Sequence, residues 1–131
     1  MAPDFRKPSK TRNLALGFVI LWFVAGGVAH FLLTDSFLRI VPPYIPFPLA
    51  AVYVSGVLEL IGALAILMPR TRALGGIGLI VLTVLVTPAN FYMWRHPELF
   101  PDISEFLLGA RLPAQVLLVA CIWWATRIER N

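Results

Sequence analysis

Apolar residues in this chain are collected into three long runs and one shorter run. The long runs cover residues 14–33, 49–68 and 73–93, and each has about the 20 residues that an α-helix needs to cross ~30 Å of hydrocarbon. The fourth run, 112–125, reaches that length only if it includes Arg111 and part of 106–110, or Thr126. The pattern predicts an all-α fold, a four-helix transmembrane bundle.

The composition agrees with a single membrane-embedded domain. Of the 131 residues, 59% are hydrophobic and the mean hydropathy is +0.80, whereas soluble proteins are about half apolar. We assign residues 1–13 to a basic N-terminal tail, 14–127 to the membrane domain and 128–131 to a C-terminal tail. With Cys121 as the only cysteine, an intramolecular disulfide and a thiolate metal cage are excluded, and so are dithiol redox enzymes.

Basic residues lie mainly on one side of the predicted bundle. Eight of the eleven flank the chain ends or the turn between the second and third runs: Arg6, Lys7, Lys10, Arg12, Arg70, Arg72, Arg127 and Arg130. The positive-inside rule therefore predicts a multi-pass protein of the inner (plasma) membrane with both termini cytoplasmic. Because these side chains flank the spans and form no face of their own, the net charge of +4 does not indicate nucleic-acid binding.

The first apolar run has a second interpretation. A basic start followed by an apolar stretch is also typical of a signal peptide, and residues 27–29 resemble a cleavage site. Residues 31–33 continue the apolar run beyond that point, which favours a retained helix.

Two longer outer loops are predicted to carry short interfacial helices. In the first, residues 34–41 precede prolines at 42, 43, 46 and 48, which indicate a helix followed by an extended segment. In the second, Asp102 with Glu105 three residues later is typical of a helix start, and Gly109 of a helix end. Both segments are candidates for a lid, and simple anchoring at the membrane surface is the alternative.

Glu59 is the residue that most strongly indicates a site. It is the one charged residue in the second run, where a carboxylate costs roughly 3 kcal/mol on insertion scales and therefore usually faces a protein interior. On the same run, Ser55 and Glu59 lie one turn apart on a small, polar face. We expect Glu59 to be either protonated or held ionised by Arg111 or His30.

Polar residues on the other three runs complete the candidate ligand-binding set: His30, Ser55, Glu59, Asn90, Arg111 and Gln115. His30, Asn90 and Gln115 each lie about three residues inside the outer boundary of a run, and Glu59 lies about ten residues inside, or ~15 Å at 1.5 Å per residue. Hydrogen bonding to a neighbouring helix is the alternative role for His30 and Asn90, and snorkelling to the interface is the alternative for Arg111. Small residues such as Gly56 and Gly76 serve packing.

Several segments in order resemble the DoxX-like family of small membrane proteins: His30 and Phe31; Pro42, Pro43 and Pro46; Ser55, Gly56, Glu59 and Gly62; residues 69–72; Pro88, Ala89, Asn90 and Met93 with His96 and Pro97; and Arg111, Leu112, Pro113 and Gln115. The resemblance covers residues 14–127. It implies a four-helix integral membrane protein of the bacterial type, of largely unassigned function, with relatives linked to membrane redox and sulfur stress.

Three functions remain open at this point. The first is a non-catalytic subunit whose cavity accepts a quinone or another lipophile for a membrane redox partner. The others are a structural or assembly protein and a small proton-coupled carrier, which at this length requires a homo-oligomer. No cofactor is expected, because the chain has no nucleotide loop and no metal-ligand spacing. Haem between His30 and His96 is the weak alternative, because His96 lies in a loop.

Overall fold

The computed structural model describes residues 9–128. The predictions for residues 1–8 and 129–131, among them Arg6, Lys7 and Arg130, lie outside this range. Within it the fold is all-helical and contains no strand, as predicted. The helices are α1 Lys10–Leu32, α2 Thr34–Ile40, α3 Pro48–Leu67, α4 Arg72–Leu85, α5 Thr87–Arg95 and α6 Glu105–Thr126, with a 3-10 turn at Pro97–Leu99.

Between residues 9 and 128, four helical segments are long and apolar enough to cross a membrane, which agrees with the predicted number of spans. They are α1, α3, the pair α4 and α5 taken together as Arg72–Arg95, and α6. The short fourth run is part of a 22-residue helix, because α6 starts at Glu105. Ser104 caps that start, its side chain accepting a hydrogen bond from the Leu107 N–H.

The second outer segment differs from the prediction. Gly109 does not end a separate short helix, since α6 passes through it without interruption. A Cβ at Gly109 would lie 3.3 Å from Cδ1 of Trp94, so this glycine serves close packing between α6 and α5. The first outer segment does contain a separate helix, α2, followed by a non-helical stretch rich in proline.

The spanning helices pack as a ring in the order α1, α3, α4, α6 and back to α1. Its centre is filled by one cluster of buried apolar side chains: Val19, Phe23, Ala63, Ile66, Leu79 and Ile122. The approach of α1 to α3 is close, because a Cβ at Gly27 would lie 3.0 Å from the Gly56 carbonyl oxygen. Small residues at helix crossings are the usual means of such an approach in membranes.

Arginine side chains fasten one end of the bundle, which we call the arginine end. The Arg12 Nε donates to the Ala125 carbonyl at 3.1 Å, and its Nη2 donates to the Arg127 carbonyl, so α1 is tied to the last turn of α6. Arg72 donates from Nε to the Ile66 carbonyl at 2.9 Å and closes the turn between α3 and α4. The opposite end, which carries α2 and the 3-10 turn, is the loop end.

The third span is broken between Leu85 and Thr87. Pro88 lacks the N–H that would bond to the Val84 carbonyl, so the helix cannot continue regularly through this point. Val86 instead caps α4, with φ −88° and ψ 0°. The break turns α5 toward the loop end of α6, where Met93, Phe100 and Leu108 form a second buried cluster.

Candidate functional site

A cavity of about 720 Å³ lies between α1 and α6, above the central core. Its lining comes from α1, α3, α4, α5, α6 and the α4–α5 junction: Phe18, Trp22, Phe23, Glu59, Leu82, Thr83, Val86, Asn90, Arg111, Ala114, Gln115, Leu117, Leu118 and Cys121. Most of these side chains are apolar, and a few polar groups converge on the space, as is typical of a ligand pocket.

The cavity opens sideways, through the gap between α1 and α6. Phe18, Trp22 and Leu117 line it and are 50%, 54% and 71% exposed. The central core forms the floor of the cavity, because Phe23 belongs to that core and Leu118 and Cys121 pack against it. The two helices are joined at the arginine end by Arg12, and the side chains at the opening lie near the middle of each helix.

The carboxyl group of Glu59 lies at the α1 side of this cavity. Glycine at position 26 makes room for it, since a Cβ there would lie 3.0 Å from Oε2 of Glu59. Oε2 is buried and has no hydrogen-bond partner within residues 9–128. Buried polar atoms are rarely left in this state, which makes Glu59 the most unusual group in the described part of the chain.

His30 lies beside Glu59, outside the cavity lining. Its Nδ1–H donates to the Val52 carbonyl of α3 at 2.8 Å, and its Nε2 lies 3.6 Å from Oε2 of Glu59. The Phe37 ring of α2 covers the imidazole, with 4.0 Å between ring centroids. The imidazole is thus oriented by one carbonyl, covered by one aromatic ring and directed at one carboxyl group.

Asn90 and Gln115 lie together on another part of the lining. Asn90 Nδ2 donates to Oε1 of Gln115 at 2.8 Å, and Gln115 Nε2 donates to the Thr87 hydroxyl at the α4–α5 break. Gln115 is deeper than predicted, ten residues from the start of α6, because the helix starts at Glu105. It therefore lies near mid-helix, as Glu59 does in α3.

Arg111 and Ser55 have different positions. Arg111 is exposed and lines both the large cavity and a second one of about 230 Å³ at the loop end. Its guanidinium has no hydrogen bond or ion pair to any residue between 9 and 128. Ser55 is not in the lining of either cavity, and its hydroxyl donates to the Ala51 carbonyl of its own helix at 2.7 Å.

His96 is separate from this group of residues. It lies in the loop after α5, where its Nδ1 is 3.1 Å from Oε1 of Glu98. A hydrogen bond from its own backbone, followed in importance by the bond with His96, lowers the pKa of the exposed Glu98 carboxyl. Between residues 9 and 128, His, Cys, Asp and Glu side chains form no group of three that could hold a metal ion.

Comparison with known families gives one result. Residues 19–128 match the model of a domain of unknown function, DUF8561. The chain belongs to this family. No curated protein and no solved structure matches it. The DUF8561 segment contains all six predicted site residues and every residue of the cavity lining except Phe18.

Several residues of the site in this DUF8561 protein were not predicted from the sequence. Phe18 and Trp22 were predicted only as parts of an apolar span, although their four-residue spacing places both on one helical face. Thr87 and the Val52 carbonyl gave no signal as partners of Gln115 and His30, because neither pairing follows a spacing rule. The covering position of Phe37 depends on how α2 folds back.

Proposed function

We propose that this protein is an integral membrane protein that binds a lipophilic molecule in the cavity between α1 and α6. One observation carries the proposal: polar side chains from three helices, Glu59, Asn90 and Gln115, line a single cavity with an apolar opening. In a chain whose helices cross a bilayer, that opening faces the lipid tails. A molecule with an apolar tail and a hydrogen-bonding head fits both features.

A quinone is the ligand class that we favour. Its ring carbonyls accept hydrogen bonds, which the Gln115 amide and the Arg111 guanidinium can donate, and its tail can leave through the opening beside Trp22. About 720 Å³ is within the usual range for small-molecule sites. The resemblance of the chain to DoxX-like proteins supports the same assignment, with the protein as a non-catalytic subunit for a membrane redox partner.

We further propose that the chain resides in the bacterial inner membrane with the arginine end in the cytoplasm. Lys10, Arg12, Arg70, Arg72 and Arg127 all lie at this end of the bundle, and positive charge is retained on the cytoplasmic side. α2 then lies at the outer surface of the membrane, and the cavity extends from Arg111 near the outer end of α6 to Cys121 past the middle of that helix.

Fluorescence of Trp22 tests the binding proposal. The protein has four tryptophans, and replacing Trp94, Trp123 and Trp124 with Phe leaves only the one at the cavity opening. A short-chain benzoquinone should quench Trp22 saturably in detergent or nanodiscs. Linear, non-saturating quenching equal to that of free tryptophan would contradict the proposal.

A pair of matched variants separates cavity binding from partition into the detergent. Ala114 lines the cavity, and Ala120 is an exposed alanine on the same helix that does not. In the single-tryptophan background, Ala114→Leu should weaken saturable quenching at least about tenfold, since a bulky side chain occupies the space. Ala120→Leu should leave it unchanged. If the two variants weakened the saturable quenching equally, the quinone would bind outside the cavity.

A structural or assembly role is the second candidate, and the chain of hydrogen bonds from Asn90 through Gln115 to Thr87 favours it. This chain of hydrogen bonds joins α6 to the first turn of α5, directly after the break in the third span. If packing is its whole purpose, replacing Asn90 and Gln115 with Leu should leave every cellular phenotype of the gene intact. If the variant folds but the cell shows the phenotype of a strain that lacks the gene, the result would argue for the binding role.

A further inference from the structure

The hydrogen bond from the His30 ring to the Val52 carbonyl determines which atoms of His30 and Glu59 can hold a further proton. A carbonyl oxygen only accepts hydrogen bonds, so the Val52 carbonyl at 2.8 Å requires a hydrogen on Nδ1. In the neutral imidazole Nε2 is then an acceptor, and it faces Oε2 of Glu59 at 3.6 Å. A carboxylate oxygen is also an acceptor, so without a further proton two lone pairs would oppose each other in a buried site.

One additional proton on either atom removes this conflict. On Oε2 it makes a carboxylic acid that faces Nε2, and on Nε2 it makes an imidazolium that faces a carboxylate. The separation of 3.6 Å is longer than a hydrogen bond, so the two atoms are not locked together. The pair therefore holds one proton and still has a free acceptor position on the carboxyl group.

Within residues 9–128, Arg111 is the charged residue that shares a cavity with the Glu59 carboxyl. Phe37 of α2 covers the imidazole, and glycine at position 26 of α1 faces the carboxyl. Arg39 of α2 points away, since it donates to the Leu99 carbonyl at 3.2 Å. Arg111 of α6 lines the same cavity as Glu59, and its guanidinium has no hydrogen bond or ion pair within the described residues.

We propose that His30 and Glu59 together accept a proton from a weakly acidic hydroxyl group, of the phenol or hydroquinone class, on the ligand in the cavity. The inference rests on the proposed function and names the ligand chemistry of the same site. The O–H bond of the ligand breaks, and one new bond to hydrogen forms on the pair, which then holds a carboxylic acid and an imidazolium. The ligand becomes an oxyanion, and Arg111 supplies the positive charge on its other side.

An alkyl nitrophenol is a suitable probe, because its phenolate absorbs visible light and its neutral form does not. About one pH unit below the pKa of the free probe, about a tenth of it is ionised in solution. Bound to the single-tryptophan protein with only Trp22 retained, most of it should be phenolate. Saturable quenching of Trp22 with a neutral bound probe would overturn the inference and leave the proposed function standing. Absence of quenching by both the nitrophenol and the benzoquinone would overturn the proposed function itself.

Two variants locate the proton acceptor. Glu59→Gln should bind the probe in its neutral form, so the phenolate absorbance should fall at least about fivefold at equal occupancy of the cavity. Ser55→Ala is the matched control, because Ser55 lies one turn from Glu59 on α3 but lines neither cavity, and its hydroxyl donates to the Ala51 carbonyl at 2.7 Å. This control should keep the phenolate. Ionised probe in Glu59→Gln would contradict the assignment.

Counting the protons on the unaltered His30–Glu59 pair tests the proposed proton transfer even if Glu59→Gln does not fold. The chain has two histidines, so His96→Gln leaves His30 as the only imidazole for nitrogen NMR. Without the probe, either an imidazolium signal or the infrared band of a buried carboxylic acid should be present. With the probe both should be present. No change on adding a saturating probe would contradict the proton transfer.

Discussion

A pair of glycines determines how close His30 can come to Glu59. A Cβ at Gly56 would lie 2.7 Å from the Cβ of His30 and 3.2 Å from the Gly27 carbonyl oxygen. Neither neighbour can move away easily, because one is backbone and the other is the root of a buried side chain. Larger residues at this crossing would separate α1 from α3 and widen the gap between imidazole and carboxyl.

We therefore expect Gly56→Ala to lower the free energy of unfolding in mixed micelles by about 1 to 3 kcal/mol, the usual cost of overpacking. Gly78→Ala is the matched control, because nothing lies within 4 Å of a Cβ at this helical position. Its stability should be unchanged or slightly higher, since alanine favours helix. Equal losses in the two variants would show that the crossing at Gly56 is not tightly packed.

At the level of the helices, the break at Pro88 matters most for the site. It turns Thr87 and Asn90 toward α6, where both bond to the same amide of Gln115. The sequence predicted Asn90 and Gln115 as site residues, but no spacing rule pairs residues 25 positions apart. The prediction that a short helix ends at Gly109 was also wrong. Glycine is typical of a helix end, but the Ser104 cap starts α6 before it, and the packing of Gly109 against Trp94 keeps this glycine inside the helix.

A double-mutant cycle tests the link between α5 and α6. Asn90→Leu and Gln115→Leu should show a coupling free energy of about 1 kcal/mol, which is typical of interhelical hydrogen bonds in membranes. Ser55→Ala combined with Gln115→Leu serves as the control and should be additive, because the Ser55 hydroxyl bonds within α3. A coupling near zero for the first pair would mean that this hydrogen bond adds nothing to stability.

For the whole molecule, the number of spans followed from the sequence, whereas the lateral opening did not. Four apolar runs are visible in the sequence because each crossing needs about 20 such residues. Whether α1 and α6 close along their whole length depends on the Arg12 contacts at one end and on side-chain fit at the other. These are tertiary properties, so the polar residues were predicted but the opening beside Trp22 was not.

Cysteine accessibility tests the proposed orientation. In a Cys121→Ser background, Pro101→Cys at the loop end should react with a membrane-impermeant maleimide on intact cells. Ile128→Cys, just past α6 at the arginine end, should react only after permeabilisation, because the basic flank stays in the cytoplasm. The reverse pattern would invert the orientation and place α2 and Arg111 on the cytoplasmic side.

The central claim is that the gap between α1 and α6 admits a lipophile to Glu59, and photolabelling tests it most directly. A photoreactive benzoquinone, added to membranes that contain the protein and mapped by mass spectrometry, should label residues such as Trp22, Leu117 and Cys121. An excess of unlabelled benzoquinone should suppress that labelling. Labelling spread over exposed apolar residues elsewhere, such as Leu64 on α3 or Leu85 on α4, and unaffected by competitor would contradict the account.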